Sequence, residues 1–593
     1  MQISRVDVKT LLNSRLQQLI AGHIGPLNAK KPVSLIYGVN DRPPAMIILS
    51  NAIQQVGIIA INLVYPIVIF RAANASAGVS SDLLAVAMLV LSFGTFLQVL
   101  RLGPVGSGYM CPSTFTATYF APSLLAARSG GLPLVFGMTI FAGLFEAALA
   151  PILNRLRGIF PPEISGLVIF MIGWSAGLAG LRVVLGPTVQ AVTPTEWVIA
   201  ALTLATMITC NVWGQGFVRM TSALIGIVFG YLVAGVTGII DRTNFSPVLD
   251  AAWVGVPHFP VAWSFDPTLI APFAIASVAA AMKAAGTITV CERSNDANWV
   301  RPDLRTVTRG VLADGLGTAA AGLAGAVGTN TSTPGVGVAV ASGVTSRVVA
   351  LAVGAIFFFL GFCPKITSLL AVMPRSIIVP ALLFTVTFIM INGVQIMTSR
   401  LLDTRRTLVL GLAIVAGGAV EVFPSITASA PSQLSPIMGS SLVFSTVIAL
   451  ALNFLFRIGV SKTATLGIER DDIDSQEIEI FFERQCAAWG ARPDIARRAS
   501  FGVIQLIEAA ADTSWHRGDL LITVRFDEFN LDVSIAYEGR QLEFPTRRPT
   551  IDQIKDEEKG AQLLAGYLFR QNADRIRSEH SRGKSIVHFH FDH

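Results

Sequence analysis

Long apolar runs fill most of the chain between residues 45 and 457, separated by short polar links, and the pattern then changes to ordinary soluble alternation from about 461 onward. The apolar runs predict membrane spans near 45–70, 82–100, 112–127, 132–152, 163–181, 195–212, 219–239, 268–290, 310–328, 333–343, 345–362, 374–394, 406–423 and 437–457. The third and tenth of these fall short of the roughly 20 residues a spanning helix needs. Both are interrupted by Pro, Gly, Ser and Thr, as "GSGYMCPSTFTATYFAPS" (106–123) and "VGTNTSTPGVGVAVASG" (327–343). They hold position three of each set of seven. An odd number of spans per set forces the two sets to be inverted relative to each other, and a pseudo-twofold axis in the membrane plane then brings the two broken segments together near the midplane. Non-helical backbone at that depth is tolerated only where it is buried in protein or lines a site. Paired interruptions of this kind point to a transporter binding site, with helix N-termini offering N–H groups to an anionic or carbonyl-rich ligand.

The fold class expected is therefore a polytopic α-helical membrane protein of 7+7 inverted repeats with two broken half-spans, followed by a small cytoplasmic α+β domain. The expected divisions are an N-terminal cytoplasmic segment (1–43), a first repeat (44–240), a second repeat (241–460) and a tail domain (461–593).

Composition agrees. Hydrophobic residues make up 52% and charged residues 14% of the 593 residues, where a soluble domain carries about 25% charge. The net charge of +6 is topological rather than a nucleic-acid signal. Arg5, Lys9, Arg15, Lys30, Lys31 and Arg42 precede the first span, and no cleavable signal is expected there. Arg101, Arg155, Arg157, Arg219, Arg293, Arg301, Arg305, Arg309, Arg347, Arg400, Arg405 and Arg406 fall in loops on the same side, twice as many basic residues as in the opposite loops. The bias predicts a multi-pass protein of the cell (inner) membrane with both termini in the cytoplasm. The five cysteines are scattered and read as small apolar residues.

Polar residues inside the spans are the candidate chemistry. Gln54 and Gln55 lie in the first span with Asn62 two turns on, and such amides either glue helices together or hydrogen-bond a polar ring. Lys283 sits midway along the eighth span. An ammonium there costs at least about 3 kcal/mol, and no carboxylate lies within four residues, so its partner is another helix or a ligand. Thr287 shares its face. Thr116, Ala117, Thr118, Ser332, Thr333 and Pro334 from the broken segments complete the expected substrate site. Asp314 is placed at the start of the ninth span, as a cap or the partner of a loop arginine, with a coupling role as the alternative. Glu146 in the fourth span is isolated in sequence.

At these residues the chain resembles the nucleobase–ascorbate transporters, also called nucleobase–cation symporter 2, over roughly 34–457. The resemblance is carried by "YGVNDRPP" (37–44), "AIQQVG" (52–57), "FPPEISGLV" (160–168), "GFVRMTSALIGIVFGYLVA" (216–234), "RGVLADGLGT" (309–318), "GVTSR" (343–347) and "PKI" (364–366). In the tenth segment Pro334, Gly337 and Gly343 fit the family pattern, while Gly335 and Ser342 depart from it. The resemblance implies a secondary transporter, not an enzyme, in which a core domain carrying a nucleobase-like ring moves against a gate domain, commonly as a homodimer. It implies no cofactor, with proton or sodium coupling open. The family's glutamate in the eighth span is replaced by Lys283, and the acidic option in the tenth segment by Pro334. A cation facing two helix N-termini suits an anion such as urate or a deprotonated xanthine. An anion carrier on a related 7+7 fold, and a solute sensor signalling through the tail, are the competing readings.

In the tail, 492–516 reads as an amphipathic helix, 520–539 as two strands about a turn near 526–530, and 583–593 as a last strand. Order and spacing resemble the histidine-kinase-type ATPase fold in degenerate form. Glu508 stands in the N-box-like helix, but Asp512 replaces a metal-ligating Asn, Tyr537 replaces the adenine-reading Asp, and the glycine-rich lid is reduced to Gly560. A regulatory domain that does not bind ATP is expected. His588 and His590 share a strand face and read as an ordinary exposed strand rather than a metal site.

Overall fold

A computed structural model describes residues 27–592 apart from short breaks, the longest at 154–160, 186–191, 424–439, 457–461, 470–474, 514–518 and 546–562. Arg5, Lys9, Arg15, Arg155, Arg157, Arg301, Arg400 and Gly560 lie outside the described residues, as do the side chains of Glu508 and Asp512. The chain forms two units. One comprises Met1–Ser399 with Arg406–Leu450, and the other Arg400–Arg405 with Ala451–His593.

In the first unit each expected apolar segment contains a helix. The first span is α1 (Ala45–Ala60) and α2 (Val64–Ala72), joined through a 3₁₀ turn at Ile61–Leu63. Then come α3 (Ala77–Val99), the strand β1 (Ser113–Phe115) and α4 (Phe120–Leu149). Gly131, at φ 69°, breaks α4 just before Pro133, so its two parts are the broken third span and the fourth. They are followed by α5 (Pro162–Leu185), α6 (Pro194–Val212) and α7 (Ser222–Val236). The second set repeats this order as α8 (Ile270–Asn295), α9 (Leu304–Ala324), strand β2 (Thr329–Thr331), α10 (Thr333–Ala341), α11 (Arg347–Gly361), the short α12 (Pro364–Ala371), α13 (Arg375–Met397), α14 (Thr404–Val422) and α15 (Ser441–Phe456). Among the described residues seven helical stretches, with Ala45–Ala72 and Ala117–Ile152 each taken as one, are long and apolar enough to cross a membrane, and α11 with α12 forms a further pair bent by 81°.

The packing repeats as the order does. The second part of α4 lies on α9 as α11 lies on α3, α8 lies on α4 as α1 lies on α11, and α5 and α13 pack on each other. Glycines permit the closest of these approaches. A Cβ on Gly143 of α4 would stand 2.2 Å from the amide nitrogen of Ala319 on α9, and one on Gly393 of α13 would stand 2.5 Å from that of Phe170 on α5. Where lipid supplies no hydrophobic drive between helices, close backbone approach is what holds them together.

The segment before α1 straps across the ends of three later helices. Tyr37 bridges Val344, the Thr345 amide donates to Tyr37 O at 2.8 Å, and Arg347 reaches Val39 O at 3.2 Å. Asn295 Oδ1 accepts from both the Val39 amide (3.0 Å) and the Thr345 hydroxyl (2.7 Å). "YGVNDRPP" and "GVTSR" are thus one contact seen from its two sides. The Lys31 ammonium and the Gly38 amide hold the Asp41 carboxyl of this strap below the usual carboxylate range.

The second unit is an antiparallel five-stranded sheet in the order β3-β4-β5-β7-β6: β3 (Lys462–Ile468), β4 (Leu520–Phe526), β5 (Asn530–Glu538), β6 (Arg575–Ser581) and β7 (Lys584–Asp592). Helices α16 (Ser475–Trp489) and α17 (Pro493–Thr513) share its core, where Ile478, Phe482 and Val503 pack with Ile522, Val533 and Phe589. Tyr537 belongs to this core, 2% exposed. The last strand carries His590 to within 2.6 Å of Asp532, and no group of three metal-ligating side chains forms among the described residues.

Two expectations follow. Gly143→Ala lowers the thermal unfolding midpoint in detergent by the equivalent of about 1–3 kcal/mol, because a Cβ forces α4 off α9. Gly411→Ala, where a Cβ would meet open space on α14, leaves the midpoint unchanged or higher. In the tail, burial pushes the Cys486 thiol up to about 11. With the other four cysteines replaced, alkylation of the native protein at pH 8 is expected to be on the order of 10²-fold slower than that of a free thiol, and to reach the free-thiol rate only on unfolding.

Candidate functional site

The two broken segments meet as strands. β1 pairs antiparallel with β2 in the register Ser113↔Thr331, Thr114↔Asn330 and Phe115↔Thr329, and all six residues are buried. The Ser332 amide adds a bond to Pro112 O at 2.9 Å. Each segment satisfies the other's backbone, which is how non-helical chain is held at membrane depth. Both then turn at once into helix. Thr116 caps the turn Ala117–Tyr119 that opens α4, its hydroxyl accepting from the Thr118 amide (3.2 Å) and lying 2.9 Å from the Thr118 hydroxyl. Ser332 caps α10, accepting from the Gly335 amide at 3.2 Å, with Pro334 in the first turn where a missing N–H is harmless.

Helix α8 runs past both helix starts. Lys283, half-buried, donates from Nζ to Thr116 Oγ1 at 3.5 Å. One turn on, the Thr287 hydroxyl lies 2.7 Å from that of Thr333. One face of α8 therefore touches the first broken span through Lys283 and the second through Thr287. Around these contacts Pro334 is exposed, and a Cβ at Gly286 or Gly337 would meet nothing within 4 Å. From the first span, Asn62 donates to Thr114 Oγ1 at 2.8 Å and Gln55 to Gly335 O at 2.8 Å, leaving the buried Gln55 Oε1 without a partner. Gln55, Asn62, Thr116, Ala117, Thr118, Lys283, Thr287, Ser332, Thr333 and Pro334 thus come together.

Two sequence expectations are corrected. Gln54 turns away from this cluster and its amide faces Met220, because adjacent positions on a helix point about 100° apart. Asp314 is neither a cap nor the partner of a loop arginine. The ninth helix starts a full ten residues earlier, capped by Asp303, so Asp314 lies mid-helix at 4% exposure and accepts from the Asn330 amide at 2.6 Å. Glu146, isolated in sequence, accepts from the Tyr119 hydroxyl at 2.7 Å and lies against Asp314, with Lys283 in electrostatic reach of both. Asn330 went unrecognised in the sequence, although an amide in the interrupted "GTNTST" was the available signal. It donates to Ala280 O (3.0 Å) as well as Asp314, and so ties β2 to α8 and α9. A separate cavity of about 190 Å³, lined by residues including Arg128, Ser175, Arg182 and Glu421, holds none of the predicted site residues.

Broken spans paired across an inverted repeat, with a half-buried cation between their helix starts, define a membrane transporter of the broken-helix class. The chain belongs to the permease family (Xan_ur_permease), whose model matches residues 46–426. Its relatives include the nucleobase transporter PlUacP of Paenibacillus larvae, 26% identical over 68% of this chain and 92% of that one. The xanthine permease XanP of Escherichia coli is 24% identical over 73% and 96%. The uric acid permease PucJ of Bacillus subtilis is 25% identical over 68% and 91%. The chain is a multi-pass membrane permease, not an enzyme.

Asn330→Ala is expected to lower stability by about 1–3 kcal/mol, read as a lower thermal midpoint, because it strips a buried acceptor of its donor.

Proposed function

We propose that this permease carries a purine-like ring, as a monoanion such as urate or deprotonated xanthine, by alternating access. The observation that carries the reading is Lys283, an ammonium at the junction of two capped helix starts in a membrane-spanning helix. The half-helix ends add partial positive charge on the same side, so an anionic ring gains from the ammonium and the helix starts together where a neutral ring does not. Gln55 Oε1, a buried acceptor with no partner, is suited to a ring N–H, and the Thr287–Thr333 and Thr116–Thr118 hydroxyls to ring carbonyls. The relatives named for nucleobases, xanthine and uric acid support the ring class. In this reading the protein works as a homodimer in the inner membrane with both termini in the cytoplasm, and the tail is regulatory. Tyr537, which stands where the resembled ATPase fold carries its adenine-reading Asp, is a buried core residue of the tail.

Lys283→Gln tests the reading. Loss of a charge-assisted contact worth about 1.5–3 kcal/mol predicts roughly 10- to 100-fold weaker urate or xanthine binding by titration calorimetry, with the fold retained. Equal competition by bicarbonate or sulfate against urate would promote the small-anion carrier instead.

A further inference from the structure

Within electrostatic reach of Lys283 lies a carboxyl pair that substrate binding alone does not require. Glu146 on α4 is fully buried, and its Oε2 accepts from Tyr119 at 2.7 Å while its Oε1 has no hydrogen-bond partner. Asp314, on the helix that Gly143 and Gly315 bring into backbone contact with α4, lies against that carboxyl and takes the Asn330 amide on its Oδ2. The titratable groups that face the pair are Tyr119 from the 3₁₀ turn and Lys283 from α8, while Ser277 and Asn330 are neutral neighbours.

Charge decides what this arrangement holds. Two ionised carboxylates in contact, away from water, would set two negative charges against one ammonium with no donor between them. A single proton on the pair supplies the missing donor to Glu146 Oε1 and leaves one negative charge, which Lys283 balances. An anion that engages Lys283 from the side of the helix starts claims the same positive charge. The pair is then left uncompensated, and a second proton from water neutralises it.

We propose that Glu146 and Asp314 form the proton carrier of the transport cycle, loading one proton for each substrate anion that engages Lys283, so that the two travel together as a neutral unit. The proposal rests on the reading of Lys283 as the anion's countercharge. It gives Glu146 a coupling role that does not involve touching the substrate.

The full-length protein in sodium-free proteoliposomes, with a pH-sensitive dye in the lumen and radiolabelled urate outside, tests it. Urate influx is expected to acidify the lumen, and an imposed inward proton gradient to drive accumulation. Glu146→Gln is expected still to exchange urate in counterflow while gradient-driven accumulation falls by about tenfold or more and the acidification disappears. Should that variant fail to fold, Tyr119→Phe keeps the ring and removes the donor to Oε2, and it is expected to displace the pH profile of accumulation. Net urate influx into wild-type proteoliposomes without lumenal acidification would overturn the coupling while leaving the anion reading intact. Accumulation by Glu146→Gln equal to wild type, or an unmoved profile in Tyr119→Phe, would do the same. Absence of any urate or xanthine counterflow in the wild type would overturn the anion reading itself, and the coupling with it.

Discussion

A backbone amide or carbonyl in the hydrocarbon core has no water to bond with, and this constraint organises the molecule. Two chain segments abandon helix at depth, and the cheapest partner for each is the other. Their antiparallel pairing through Thr114 and Asn330 fixes the pseudo-twofold relation of the two halves more tightly than any loop could. Once the strands are joined, the helices that leave them must start side by side, and their capping hydroxyls on Thr116 and Ser332 face the same neighbourhood. The position of Lys283 is then a consequence, because α8 is the helix that passes both starts.

The same contacts explain how several charges are tolerated in so apolar a body. Gly143 and Gly315 draw α4 and α9 into backbone contact, which excludes lipid and water and brings Glu146 and Asp314 together. Tyr119 and Asn330 donate to them from the two broken spans, one from each half. The acids thus sit on the fourth and ninth spans, whereas the resemblance implies them on the eighth and tenth. The cation on the eighth span and these acids form one electrostatic unit, in which changing any member changes the charge that the others must carry.

Much of this was legible in the sequence. The apolar runs marked the helices because a span must be apolar for its whole length, and the paired interruptions marked the strands because proline and glycine have few other reasons to recur at matching depths. Lys283 stood out because an ammonium in a span is rarely accidental. What failed depended on rotation and distance. Gln54 and Gln55 are indistinguishable in composition, and only the helix phase sends one to Gly335 and the other to Met220. Asp314 reads as a helix start because the polar stretch Leu304–Arg309 resembles a loop, although its arginines sit on a helix already begun after its cap Asp303. The partners of Glu146 lie 27 residues away at Tyr119 and far along the chain at Asp314, so no local pattern joins them. In the tail, β6 ("RIRSEHS") shows too few apolar residues to alternate, and it is a strand because β7 offers it an edge.

The strap at the start of the chain has a bearing on how the protein comes into being. Tyr37 leaves the ribosome early, but Thr345, which bonds to it, is 308 residues behind. At a synthesis rate of about 5–20 residues per second, the strap waits roughly 15–60 s for its partner, and β1 waits about two-thirds as long for β2. For that interval the first half sits in the bilayer with polar backbone uncovered, held by its apolar helices alone. Inversion of the repeats thus makes the first seven spans a provisional structure, which only the tenth segment to be synthesised can complete.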